Sequence, residues 1–161
     1  LLGRSRAIDD NTAEVMVAPF LLSKEHPLAM VHGVFNAVFV TGNMLGDSMY
    51  YGRGAGKLPT ASAVVSDVID CARHQGKVIM CFWDKEEVKL ADIGEAERSF
   101  FIRAKAGAED AVTAAFPGGR MVHLKDRKED FGYFTQSMKE KDFQAKYEAL
   151  GGQMLGRIRL V

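Results

Sequence analysis

From residue 100 onward the apolar residues switch between a period of two and a period near 3.6, and few folds accommodate that succession. Phe100, Ile102 and Ala104 alternate as in a strand, and residues 108–116 read as a short helix stopped by Pro117-Gly118-Gly119. Val122 and Leu124 alternate again, and a third strand is expected over 131–137, after the charged turn 125–130. Phe143, Tyr147 and Leu150 stand at i, i+4 and i+7 of a helix closed by Gly151-Gly152. Met154, Gly156, Ile158 and Leu160 alternate last. The predicted order is βαββαβ, a ferredoxin-like split unit. The signs of the charges alternate along 125–130, so that run is expected to be a solvated hairpin.

The first half is patterned differently. Its short apolar runs are punctuated by Gly and Pro, and most of the charged residues lie beyond residue 75. Residues 13–22 read as a strand ending near Pro19, and His26-Pro27-Leu28 as a turn into a brief helical segment. A buried strand is expected over 33–41, with Asn36 its one polar side chain, followed by the turn Thr41-Gly42-Asn43 and a strand at 48–51. Gly52-Arg53-Gly54-Ala55-Gly56 then leads into a helix over 60–74, where Val64, Val65, Val68, Cys71 and Ala72 form one apolar stripe. An apolar run with the single Trp occupies 77–83, and the charged stretch from 84 to 98 reads as a linker. The division predicted is 1–76, a linker with an apolar segment at 77–97, and 98–161, in an α+β chain.

Composition removes several classes of function. Of the 161 residues, 21 are Lys or Arg and 21 Asp or Glu, so there is no net charge to attract nucleic acid or an anionic membrane surface. The longest nearly unbroken apolar run, 31–40, falls well short of the ~20 residues that cross a bilayer. At 47% apolar and 26% charged the chain has the makeup of a globular protein. Leu-Leu-Gly-Arg-Ser-Arg at the start has neither an initiating Met nor the apolar core of a signal peptide, and reads as a chain cut from something longer. Cys71 and Cys81 form no C-x-x-C pair, which points to free thiols and a cytoplasmic address. His26, His32, His74 and His123 are scattered, so no metal site is expected.

The residues that could carry chemistry are few. The glycine stretch 52–56, between a strand and a helix, lets backbone come close to a ligand and aim N–H groups at it. It matches neither the dinucleotide fingerprint nor the Walker loop, and a tight strand-to-helix turn would use the same residues. Asn36 serves either a ligand or the backbone of an irregular strand. Glu25 and His26 are neighbours in sequence, which does not place two side chains at one acid–base site. No nucleophile, paired carboxylates or other catalytic constellation stands out.

Four segments, in this order, resemble homoserine dehydrogenase: His26-Pro27-Leu28-Ala29; Val31-His32-Gly33-Val34-Phe35-Asn36-Ala37-Val38; Tyr51-Gly52-Arg53-Gly54-Ala55-Gly56; and Pro59-Thr60-Ala61-Ser62-Ala63-Val64-Val65-Ser66-Asp67. The resemblance is to the C-terminal part of that family's catalytic and dimerisation region, and 98–161 sits where many bacterial members carry an ACT domain. The implied fold is a partial mixed α/β sheet followed by an ACT-like domain. The implied function is NAD(P)-dependent interconversion of L-homoserine and L-aspartate 4-semialdehyde, in threonine and methionine biosynthesis. NADP or NAD would be bound by the full-length parent, with Gly54, Ala55 and Gly56 approaching the nicotinamide cofactor. The family's nucleotide-binding domain, catalytic lysines and substrate-binding acids would precede this stretch, so the chain alone is expected to be inactive and to hold no catalytic residue. The helix over 60–74 would pack on the nucleotide-binding domain, and the Asn36 strand would belong to the dimer-forming sheet.

Regulatory ACT domains commonly carry an Asp-x-Pro-Gly-like turn after their first strand. Here Lys105-Ala106-Gly107-Ala108-Glu109-Asp110 keeps only the glycine. This departure disfavours threonine as an effector and leaves assembly into a homo-oligomer as the expected role of the unit. Two rival readings remain, an amino-acid-sensing regulatory module and a purely structural dimerisation piece.

Overall fold

The structure is a computed structural model that describes residues 1–77 and 85–161. Cys81 and Trp83, and with them all but Lys77 of the apolar run at 77–83, lie outside the described residues. In chain order the elements begin with strands β1 (Leu2–Asp9), β2 (Thr12–Ala18) and β3 (Phe20–Leu21), then β4 (Phe35–Gly42), β5 (Gly46–Arg53) and helix α1 (Lys57–Arg73). After them come β6 (Lys89–Leu90), β7 (Glu97–Arg98), β8 (Phe100–Lys105), α2 (Glu109–Ala115), β9 (Arg120–Val122) and β10 (Asp130–Phe134). The last are β11 (Met138–Lys139), α3 (Glu140–Ala149) and β12 (Met154–Leu160). Short 3-10 turns occupy Pro27–Met30, Ile93–Glu95 and Gly151–Gln153. The architecture is α+β with mixed sheets.

Two compact units form: Leu1–Leu21 together with Glu86–Val161, and Leu22–Lys85. The first has a five-stranded sheet in the order β3-β12-β8-β10-β9. Only the β12–β3 pair in it is parallel, with Phe20 opposite Arg159 and Leu21 opposite Leu160. The alternation read in β8 has its physical cause in the core. Phe100, Ile102 and Ala104 are buried on one face, with Phe131 and Tyr133 of β10 beside them. Ala108, Val112 and Phe116 from α2 and Phe143 from α3 close over that face. The Phe100 and Phe143 rings stack, and the Tyr133 hydroxyl donates to the Phe116 carbonyl at 2.5 Å, satisfying an orphan acceptor at the end of α2.

The same unit contains a second, smaller core of Met16, Ala18 and Phe20. A chain of ion pairs also links elements of this unit. Glu14 accepts from Arg98 and, at 3.1 Å, from Arg6. Arg98 Nε stands 3.3 Å from Glu140, which also accepts from Arg159. Glu14 and Arg98 are 3% exposed as side chains, so the charges hold each other where water does not reach.

Sequence and structure differ in several places. The strand expected over 13–22 is two, β2 and β3, broken at Pro19, which has no N–H to give a ladder. β1 went unread: only Leu2 and Arg4 in it are half-buried and the rest is exposed, so it carries no alternating signal. The strand read from Val122 and Leu124 ends at Val122, and Leu124 is exposed. Thr135, beyond the end of β10, instead receives the Phe100 N–H on its hydroxyl at 3.0 Å. Within the described part of 77–97 β6 pairs with β2, and at its end β7, which continues into Arg98, pairs with β11.

In the unit Leu22–Lys85, β4 and β5 form an antiparallel hairpin paired from Phe35 opposite Arg53 to Gly42 opposite Gly46. One face presents Phe35, Phe39 and Tyr51, with Phe35 stacked on Tyr51 and the Arg53 guanidinium over Phe35. The other presents Asn36, Val38, Val40 and Tyr50, all exposed. Helix α1 starts three residues before the expected position, with Pro59 inside its first turn, where a missing N–H costs no hydrogen bond. It buries no residue, and Val64, Val65 and Val68 stand exposed along it.

Candidate functional site

The glycine stretch forms the turn from β5 into α1. Gly56 is the N-cap of α1, with φ 118° and ψ 150°, a backbone shape that side chains resist. Its carbonyl accepts the first helical hydrogen bond, from Thr60 N–H at 3.1 Å. No side chain caps the helix and its first turn contains no acidic residue, so its free N–H groups meet no competing negative charge there. Gly54, Ala55 and Gly56 are all exposed. Next to them is an open depression of about 290 Å³ on the hairpin, lined among others by Asn36, Tyr50, Gly52 and Gly54. The arrangement offers backbone donors and a carboxamide to a polar or anionic ligand, and among the described residues around it there is no acid–base pair.

The other sequence candidates fall elsewhere. His26 caps the 3-10 turn, its Nδ1 accepting from Leu28 N–H at 3.1 Å, while its ring lies against Phe39. The neighbouring Glu25 uses its N–H on the Ser23 hydroxyl. Cys71 is a free, exposed thiol on α1. Among the described residues no group of three or more His, Cys, Asp and Glu could hold a metal ion, and no helix is long and apolar enough to cross a membrane.

In the turn at 105–110, Gly107 has φ 91° and its N–H donates to the Glu109 carboxylate at 2.7 Å. A donor that could meet a bound carboxylate is thus already in use. The run 125–130 contains a residue that sequence reasoning missed. Asp130 is 8% exposed and accepts from Arg103 Nε at 2.8 Å. An alternating charge run gives no sign of which member turns inward, and only its pairing opposite Lys105 at the start of β10 does so.

The family model for homoserine dehydrogenase matches residues 1–69. The homoserine dehydrogenase of Synechocystis is 60% identical over 62 residues, 38% of this chain and 14% of the relative. That of Helicobacter pylori is 36% identical over 112 residues, 70% of this chain and 26% of the relative. The chain therefore spans about a quarter or less of these relatives. A homoserine dehydrogenase structure from Thiobacillus denitrificans superposes with a TM-score of 0.77 at 26% identity, over 98% of this chain and 41% of that one. One from S. aureus gives 0.66 at 25% identity, over 99% of this chain and 39% of that one.

Proposed function

We propose, from the premise that this chain belongs to the homoserine dehydrogenase family, that it forms one wall of the cofactor cleft in an NAD(P)-dependent enzyme interconverting L-homoserine and L-aspartate 4-semialdehyde. The observation that carries this is the exposed turn Gly54-Ala55-Gly56, standing between strand and helix inside the stretch matched by the family. When bound, NADP or NAD supplies the hydride chemistry. The chain's own residues fit such a group: Gly54, Ala55 and Gly56 put backbone rather than side chains at the surface, and the start of α1 points N–H groups outward. Their work is to bind and orient. Proton transfer is assigned to no residue here, and the purified chain alone is expected to show no turnover; measurable dehydrogenase activity in it would overturn this.

The test of the loop is Gly56→Ala in the complete gene product that carries this chain. An alanine at φ 118° is strained, so the turn must rearrange. Cofactor affinity, read by fluorescence titration with NADPH and NADH, is expected to fall by about tenfold, the factor that ~1.4 kcal/mol represents. Unchanged affinity rejects the loop as a cofactor contact.

For residues 98–161 the proposed reading is an ACT-like domain that serves assembly into a homo-oligomer, in a cytoplasmic biosynthetic enzyme. The order β8-α2-β9-β10-α3-β12 and the sheet order β12-β8-β10-β9 support it. The Gly107 N–H held by Glu109 favours assembly over the sensing of an amino acid such as threonine. The division at 76 and 98 is proposed for the family segments; the compact units divide the chain differently, with Leu1–Leu21 packed with Glu86–Val161.

A further inference from the structure

Gly54 is glycine for a reason outside its own backbone. Of the three glycines in 52–56 only Gly56 has a left-handed φ. A Cβ built on Gly52 would meet nothing within 4 Å, so neither strain nor space demands a glycine there. A Cβ on Gly54 would overlap Asn36 Nδ2 and stand 2.8 Å from Asn36 Cγ and 3.3 Å from Asn36 Cβ, and these are the three atoms nearest to it. Asn36 is in turn the one polar side chain of the 34–40 run. It is exposed, so no buried donor or acceptor calls for an amide at that position. In the ladder it lies opposite Gly52, just before the loop leaves the sheet. Each of the two residues thus accounts for the other.

We infer that Asn36 is a positioning residue for the glycine loop, its carboxamide seated on Gly54 so that the 52–56 backbone keeps the shape the cofactor meets. The inference rests on the reading of that loop as a cofactor contact. A short amide packed on a bare Cα fixes the loop without an additional side chain at the surface. With Asn36 cut to alanine, the loop loses its neighbour on that side and samples more conformations, which weakens binding without touching the chemistry. A methyl group on Gly54 pushes the same carboxamide away and reaches the same end.

The experiment is a double-mutant cycle in the complete gene product, read as NADPH and NADH affinity, kcat at saturating cofactor, and the thermal midpoint. Asn36→Ala and Gly54→Ala are each expected to weaken cofactor binding about tenfold, and the pair together also about tenfold, because both remove one contact. The loss is expected to be larger in affinity than in kcat at saturation, since binding to ground and transition state falls together; a lowered thermal midpoint with unchanged affinity would show a merely structural contact and overturn the inference. Should Asn36→Ala fail to fold, Asn36→Ser is measured in its place. Additive losses of about a hundredfold would show two separate contributions and overturn the pairing. If Gly56→Ala weakens the cofactor and Asn36→Ala does not, this inference falls and the loop reading stands. If neither does, both fall.

Discussion

Glu95 shows what a residue gains from neighbours alone. Its carboxylate accepts from Lys139 at 2.8 Å and from Lys141, and these hydrogen bonds hold its pKa at about 2, far below 4.5. The same contact raises the Lys139 ammonium above 10.5. A carboxyl whose folded pKa is depressed stabilises the fold above its unfolded value, and that contribution is lost as pH falls from about 4.5 through about 2. A carbon-detected NMR titration is expected to place the Glu95 midpoint near 2, and Lys139→Ala to return it toward 4.5; a wild-type midpoint near 4.5 would show the lysines free in solution. At this scale the sequence was partly legible. Glycines at 54 and 56 declare a close approach by their type. The partner of Gly54 does not, because Asn36 lies 18 positions away and meets it only across the β4–β5 ladder. Arg98 and Asp130 were illegible for a related reason: a charged residue in a charged stretch turns inward only when a distant strand brings its counter-ion.

Among the elements, those with one wet and one dry face were readable and those without were not. β8, β10, α2 and α3 bury one side and carry the period of it, whereas β1 is exposed along most of its length and β3, β6, β7 and β11 have two residues each. What joins the short pieces is charge. Glu14 on β2, Arg98 on β7, Glu140 on α3 and Arg159 on β12 link four elements through side chains. Replacing Arg98 by methionine removes the cation shared by two nearly buried carboxylates and leaves Glu14 to Arg6 and Glu140 to Arg159, and is expected to cost about 1–3 kcal/mol. Urea unfolding followed by circular dichroism checks this, and a loss under about 0.5 kcal/mol would mean that Arg6 and Arg159 suffice to hold the two carboxylates.

Taken as a whole, the chain leaves much apolar surface in water. Val38, Tyr50, Val64, Val65 and Val68 of one unit are each more than half exposed, as is Val17 of the other. Apolar side chains exposed in such numbers favour association. Sedimentation at micromolar concentration is expected to give a dimer or larger species, unchanged by L-threonine because the Gly107 N–H is already engaged. A monomer removes the assembly reading, and a threonine-dependent mass revives the regulatory one. Sequence patterning could suggest association, but which surfaces remain open depends on the sheet pairing. One pairing also bears on how the protein is made. β3 has its ladder partner in β12, at the far end of the chain, with the whole unit Leu22–Lys85 in between. During synthesis β1 and β2 can close their sheet once β6 has emerged, but β3 must wait, unpaired, until residues 159 and 160 have cleared the exit tunnel. Within this stretch the order of translation thus runs against the order of assembly: the unit whose strands precede Leu22–Lys85 can be completed only after it.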